Sequence, residues 1–168
     1  MTAMPLPDRT ALLELDEPHL AALCRIETCR GSGPGGQKRN KTSSAARVTH
    51  LESGLSAFDD VTRSQHQNLK HALDKLRGEI AVNLLPGAGE TTPGIPIAPV
   101  PKPNSRNYFL WLGRIFDALL ATDFQMPEAA ARFECSPSHL IRIVAKDEFA
   151  WQKLAEARQR RKMTPLRK

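Results

Sequence analysis

Gly31-Ser32-Gly33-Pro34-Gly35-Gly36-Gln37 is the segment of this sequence best suited to chemistry. Four glycines in the six residues before Gln37 cost chain entropy, so the loop needs backbone freedom that side chains forbid. A phosphate-binding loop would close with Gly-Lys-Ser/Thr at a helix start, whereas this one closes with Gly-Gln-Lys. Gly31, Gly33 and Gly36 match the letters of a dinucleotide fingerprint, but no parallel crossover or ribose-binding acid follows at the required distance. The reading left is close approach of backbone to a reacting centre. Without Cβ atoms, Gly35 and Gly36 reach conformations closed to other residues and fit a narrow cleft. A backbone N–H at such a tip can donate to charge developing in an ester-hydrolysis transition state. The Gln37 amide offers a donor and an acceptor but cannot titrate, so its job is to position or select a water.

Cations flank this loop. Between residues 25 and 50, Arg25, Arg30, Lys38, Arg39, Lys41 and Arg47 face the single acid Glu27. Arg30, Lys38, Arg39, Asn40, Lys41 and Arg47 are therefore RNA-contact candidates, with a merely solvated basic face as the alternative. Arg63 and Gln65 have two roles open to them, capping a long helix with Ser64 and His66 or touching RNA. A second basic pole carries Arg158, Arg160, Arg161, Lys162, Arg167 and Lys168 with no acid after Glu156. Arg160, Arg161 and Lys162 are its RNA-contact candidates, and a frayed, solvated end is the rival. His50, His66 and His71 invite pairing with Ser32 or Ser64, but nothing orders them as a triad.

Residues 25–77 resemble the catalytic domain of class I peptide chain release factors and of their codon-independent ribosome-rescue relatives. The resemblance spans about a third of the chain. It rests on Ser32-Gly33-Pro34-Gly35-Gly36-Gln37, Asn40-Lys41, Arg47-Val48-Thr49-His50 and Arg63-Ser64-Gln65-His66, in that order and at matching separations. It implies that the loop enters the peptidyl-transferase centre, where Gly35, Gly36 and Gln37 help water attack the peptidyl-tRNA ester. It also implies the ribosome, its large-subunit rRNA and peptidyl-tRNA as partners, no metal or organic cofactor, and Gln37 as a methylation candidate. The family usually has His-Val after the glutamine, and here Lys38-Arg39 stand there. That removes an apolar anchor at the loop base and offers two cations to rRNA phosphates. The alternative is a non-catalytic ribosome-, RNA- or DNA-binding protein with a degenerate domain; the intact tripeptide opposes it and Lys38-Arg39 leave it open.

Several elements must hold the loop in place. Ala21 to Cys29 reads as a helix running into a strand that leads to it. Residues 47–51 and 55–58 alternate around Ser53-Gly54, a hairpin signal. Thr62 with Gln65 fits a capping box, and Leu69, Leu73, Leu76, Ile80 and Leu84 form one helical stripe, with Gln67, Lys70 and Arg77 pointing away. The expected fold is α+β over residues 1–85, a short mixed sheet plus a long helix. Six prolines and three glycines between residues 86 and 103 predict a linker over 86–105.

A helical domain is expected over 106–160, with a basic tail at 161–168. Tyr108 to Leu120 puts Leu112, Ile115, Phe116 and Leu119 on one face. Pro127-Glu128 opens a second helix, Ser136-Pro137 caps a third, and a fourth starts near Glu148 with Trp151 and Leu154 inward. The middle pair resembles a helix-turn-helix with Arg142 on the recognition helix, but Glu134 stands where glycine is usual. A plain helical bundle is preferred.

The 168 residues, 40% hydrophobic and carrying a net charge of +6, support a modest core and an acidic partner such as nucleic acid. Cys24, Cys29 and Cys135 lack metal-ligand spacing and are expected as reduced thiols. No signal peptide or transmembrane stretch is legible, so a cytoplasmic monomer without membrane contact is expected. A codon-reading domain does not fit beside the catalytic one in this length. The expectation is therefore codon-independent hydrolysis of the peptidyl-tRNA ester in ribosome rescue.

Overall fold

The computed structural model describes residues 8–29, 44–84, 97, 99–103 and 105–167. Two compact units divide the chain, Met1–Gly87 and Ala88–Lys168. The first holds helices α1 (Arg9–Glu14) and α2 (Glu17–Ala22), strands β1 (Cys24–Cys29), β2 (Ala45–His50) and β3 (Ser56–Asp59), and helix α3 (Gln65–Asn83). The second holds α4 (Arg106–Ala121), α5 (Met126–Ala131), α6 (Pro137–Val144) and α7 (Glu148–Arg160).

The first unit is α+β, a three-stranded sheet in the order β1-β2-β3 with one long helix. Both pairings are antiparallel, so the expected mixed sheet is corrected. A parallel pair needs a crossover element, and here each strand pairs with its neighbour in sequence. Residues 46, 48 and 50 of β2 are buried on the face that packs against α3, while Arg47 points the other way, as a half-covered sheet requires. The β2–β3 hairpin closes with the Gly54 N–H donating to the His50 carbonyl at 2.9 Å. Gly54 sits at φ +70°, where a side chain is disfavoured, as its place in the turn demands.

Helix α3 buries Ala72, Leu73, Leu76, Ile80 and Ala81, while Leu69 and Leu84 at the ends of the stripe are half-buried. Its start differs from the expected capping box. Ser64, not Thr62, is the N-cap, its hydroxyl accepting from the Gln67 N–H at 3.3 Å. Thr62 is diverted because its hydroxyl and N–H both bond the Asn68 side-chain oxygen, at 2.7 and 2.8 Å. Arg77 is also corrected: it is buried rather than outward, its Nη2 donating to the Leu15 carbonyl at 2.9 Å. Arg9 is buried too and reaches the Leu84 carbonyl at 3.3 Å, a cation at the C-terminal end of α3 where the helix dipole favours it.

In the second unit, α4 buries Tyr108, Phe109, Trp111, Leu112, Ile115, Phe116 and Leu119. Most of the stretch 86–105 lies outside the described residues. Ile97 within it is buried, and its carbonyl accepts from the Trp111 indole at 3.2 Å. Ser136 caps α6 and Asp147 caps α7, each side chain accepting a backbone N–H three residues on. Leu154 is buried, but Trp151 is only half-buried. Helices α4, α5 and α7 each run into a turn with the same hydrogen bond, residue i to i−5: Phe124 to Leu119, Cys135 to Ala130, Met163 to Arg158. The residue before each donor lies in the left-handed region: Asp123 at φ 45°, Glu134 at 52° and Lys162 at 57°. Glycine usually fills this position.

No described helix is long and apolar enough to cross a membrane. Cys24, Cys29 and Cys135 are free and half-buried, as expected of reduced thiols.

Candidate functional site

Gly35, Gly36 and Gln37, with Arg30, Lys38, Arg39, Asn40 and Lys41, lie outside the described residues. What is described is the frame on which they hang. Cys29, the last residue of β1, pairs with Ala45, the first of β2. Paired residues in an antiparallel ladder stand only about 5 Å apart, so the segment between them leaves and returns at one point of the sheet. Both ends are fixed by sheet hydrogen bonding.

A further tie sits at the returning end. The Asn68 amide nitrogen donates to the Ser44 carbonyl at 2.7 Å and to the Thr62 carbonyl at 2.8 Å. With the two bonds its oxygen accepts from Thr62, every donor and acceptor of this fully buried side chain is engaged. Asn68 thereby joins the residue preceding β2 to the turn that carries Arg63 and to the first turn of α3. The sequence reading missed it. The signal was present: residues 68, 72, 76 and 80 share one helical face, and only Asn68 among them is polar.

A second polar cluster pins the end of β3. The buried Asp59 carboxylate takes the Lys75 ammonium at 2.6 Å and lies 3.4 Å from the His71 ring. Burial pushes the Asp59 pKa up. The Lys75 hydrogen bond, the Val61 N–H, the Lys75 charge and His71 together outweigh it, so the carboxyl titrates below its usual range. His50 is buried at the hairpin, its Nδ1 2.9 Å from the Ser53 hydroxyl and accepting the Ser53 N–H at 3.2 Å. Burial lowers its pKa, against an opposing pull from Glu52. His50 and His71 thus have local structural partners, and His66 is exposed.

The described RNA-contact candidates fall into two groups. In the first unit, Arg47 is exposed on the sheet face away from α3, its guanidinium 5.7 Å from the Phe58 ring, with Glu27 opposite it in register. Arg63 and Gln65 are exposed on either side of the capping Ser64, which separates the capping role from the exposed pair. In the second unit, Arg160, Arg161 and Lys162 are exposed around the end of α7. Arg161 pairs with Asp123 and lies 4.3 Å over the Phe124 ring. Its neighbour Arg158 is buried, donating to the Phe124 carbonyl at 2.6 Å and to the Thr164 carbonyl at 2.9 Å. This end is anchored, not frayed. No cluster of metal-ligating residues occurs among the described residues.

The stretch so framed has a family. Residues 20–86 match the RF-1 domain, and they form a class I release-factor-like Gly-Gly-Gln domain. Among curated proteins the chain is similar to peptide chain release factor 2 of Paramagnetospirillum magneticum, 43% identical over 76 residues, which are 45% of this chain and 19% of that protein. It is similar also to peptide chain release factor 1 of Delftia acidovorans, 44% identical over 80 residues, 48% of this chain and 21% of that protein. Peptide chain release factor 1 of Ehrlichia canis is 44% identical over 68 residues, 40% of this chain and 18% of that protein. The chain thus spans about a fifth of the length of the relatives it matches.

Proposed function

We propose that this chain hydrolyses the ester bond of peptidyl-tRNA on the ribosome, without reading a codon, to free stalled ribosomes. The observation that carries the reading is an RF-1 domain over residues 20–86 that encloses an intact Gly35-Gly36-Gln37. Gly35 and Gly36 give the backbone its approach, an N–H at the tip donates to the developing oxyanion, and Gln37 positions the attacking water. Ribosomal RNA surrounds the ester. Arg30, Lys38, Arg39, Asn40, Lys41, Arg47, Arg63 and Gln65 contact its phosphates and bases, and Arg160, Arg161 and Lys162 add a second contact. Support for the mode of attachment comes from the frame: both loop ends leave one point of the sheet, beside the exposed Arg63 and Gln65.

The test is release of labelled peptide from ribosomes carrying peptidyl-tRNA, with a stop codon, a sense codon or no codon in the A site. Equal release in all three supports the whole reading. Release only with a stop codon keeps ester hydrolysis and removes codon independence. No release above background by a chain that still cosediments with ribosomes defeats the catalytic reading. For the second contact, Arg160→Gln with Lys162→Gln is the right probe. A truncation before Arg158 would remove a buried structural arginine as well.

A further inference from the structure

Residues 163–166 fold back along α7, and a cavity of about 440 Å³ lies between the two segments. The reversal turns at Lys162, with φ 57°, and is held by the Met163 N–H donating to the Arg158 carbonyl at 3.0 Å. Trp151 and Leu154 of α7, with Met163, Pro165 and Leu166 of the returning segment, make the wall mostly apolar. Arg158, Lys162 and the Gln159 amide are its polar side chains, and no acid lines it. Space and walls of this kind suit a small organic molecule that buries an apolar body and turns one polar group toward a fixed partner.

Arg158 says what that polar group must be. Its side chain is only 9% exposed, and both terminal nitrogens of the guanidinium donate to neutral carbonyls, those of Phe124 and Thr164. Its Nε–H has no acceptor, and no carboxylate pairs with it among the described residues. Carbonyls offset part of the cost of burying a cation, but buried charges ordinarily also meet an opposite charge. The acids of the surrounding elements are engaged elsewhere or stand far along α7. Asp123 pairs with Arg161, Glu156 with Arg160 and Gln152, and Asp147 caps the opposite end of the helix, next to Glu148. Lys162 is exposed and makes no ion pair among the described residues, which adds a second positive charge.

We propose that this cavity binds an organic monoanion with an apolar body, a medium-chain carboxylate, its charged end toward Arg158 and Lys162 and its chain along Trp151, Leu154, Met163 and Leu166. A nucleobase would fill the apolar space and leave the Arg158 charge unmatched. Inorganic phosphate would match the charge and not the walls. The site is independent of the peptidyl-tRNA reading, although Lys162 also stands among the second-contact residues named there.

The experiment is calorimetric titration of the full chain with octanoate, with octylammonium and inorganic phosphate as the two half-matched probes. Octanoate should bind saturably at one site, with a negative heat-capacity change. Octylammonium and phosphate should each bind at least about tenfold more weakly. Ala155→Phe places a ring in the cavity from an exposed helical position and should weaken octanoate roughly tenfold or more. Lys162→Asn keeps a residue that tolerates the left-handed turn and should weaken it roughly twofold to fivefold. An unchanged thermal transition in tryptophan fluorescence, without ligand, checks that both variants fold. Any of four results overturns the proposal: no saturable octanoate binding, octylammonium binding as tightly, Ala155→Phe binding octanoate as the parent does, or single-stranded RNA displacing octanoate and losing affinity in Ala155→Phe, which would assign the cavity to a nucleobase.

Discussion

The two units are stabilised in contrasting ways. In the first, buried polar side chains join segments far apart in sequence: Asn68 to Ser44, Lys75 to Asp59, Arg77 to Leu15 and Arg9 to Leu84. In the second, one buried cation, Arg158, ties α7 to the Phe124 carbonyl, but α4 contributes a nearly continuous apolar face, and the α4–α5 and α5–α6 turns are built on non-glycine left-handed residues. Polar ties are directional, so they fix where a strand end sits; apolar packing supplies stability with less directional constraint. On the reading proposed above, the first unit delivers one loop, and Asn68 is the directional tie at that loop's base.

The largest expected effect concerns chemistry alone. Gly36→Ala should cut the rate of peptide release about a hundredfold or more, because a Cβ at the tip displaces the donor from the developing oxyanion. Thermal stability should hardly move. If release continues at the parent rate, the tripeptide does not carry the reaction.

Next come effects on stability, which both tryptophans make separable: Trp111 and Trp151 lie in the second unit. Leu112→Ala, at a side chain 1% exposed in the apolar face of α4, should cost about 3–5 kcal/mol through lost burial and a residual cavity. Tryptophan fluorescence should report that loss. Asn68→Ala should cost about 2–4 kcal/mol, since it strands the Ser44 and Thr62 groups that the amide satisfied. Circular dichroism should show it while the tryptophan transition stays put. A tryptophan transition that falls equally with both variants would mean that the two units unfold as one, and the contrast between them would collapse.

Lys75→Met tests the other polar tie, at about 1–3 kcal/mol at neutral pH, because it leaves the Asp59 carboxylate buried without its cation. The pH dependence has a definite sign. A carboxyl depressed in the folded state binds fewer protons there than in the unfolded chain. Its stabilisation is therefore complete above the unfolded value of about 3.9 and fades as pH falls through the lower folded value. Urea unfolding at pH 7 and again near pH 3 should show the gap between parent and variant narrowing in acid. A gap that widens would reverse the assignment.

Much of this was legible in the sequence where a local rule decides the outcome. The α3 stripe follows from a 3.6-residue period, and the hairpin from Ser53-Gly54. The four motifs from Ser32 to His66, in their order, resembled the release-factor catalytic domain before any coordinates, and residues 20–86 match the RF-1 domain. The errors arose where distant partners decide. Thr62 and Ser64 are both good caps, and only the Asn68 amide, itself tied to Ser44 24 residues away, takes Thr62 out of contention. Arg77 read as an outward cation because nothing near it in sequence reveals that the Leu15 carbonyl, 62 residues earlier, would hold it. The polarity of Asn68 within an apolar face was visible, but polarity alone does not name a partner.

The smallest prediction probes the turn between α5 and α6. Glu134 at φ 52° bears the Cβ strain of the left-handed region, which Gly would relieve, although glycine also adds freedom to the unfolded chain. The net for Glu134→Gly should be a gain of about 0.5–1 kcal/mol, read by tryptophan fluorescence during urea unfolding. Glu134→Ala separates strain from charge, since alanine keeps the Cβ and loses only the carboxylate. The carboxylate sits at the C-terminal end of α5, where the helix dipole already disfavours an anion. Alanine should therefore recover only roughly the few tenths of a kcal/mol that the dipole costs and keep the strain, whereas glycine should gain both. Equal stability for the two variants would show that the turn is unstrained.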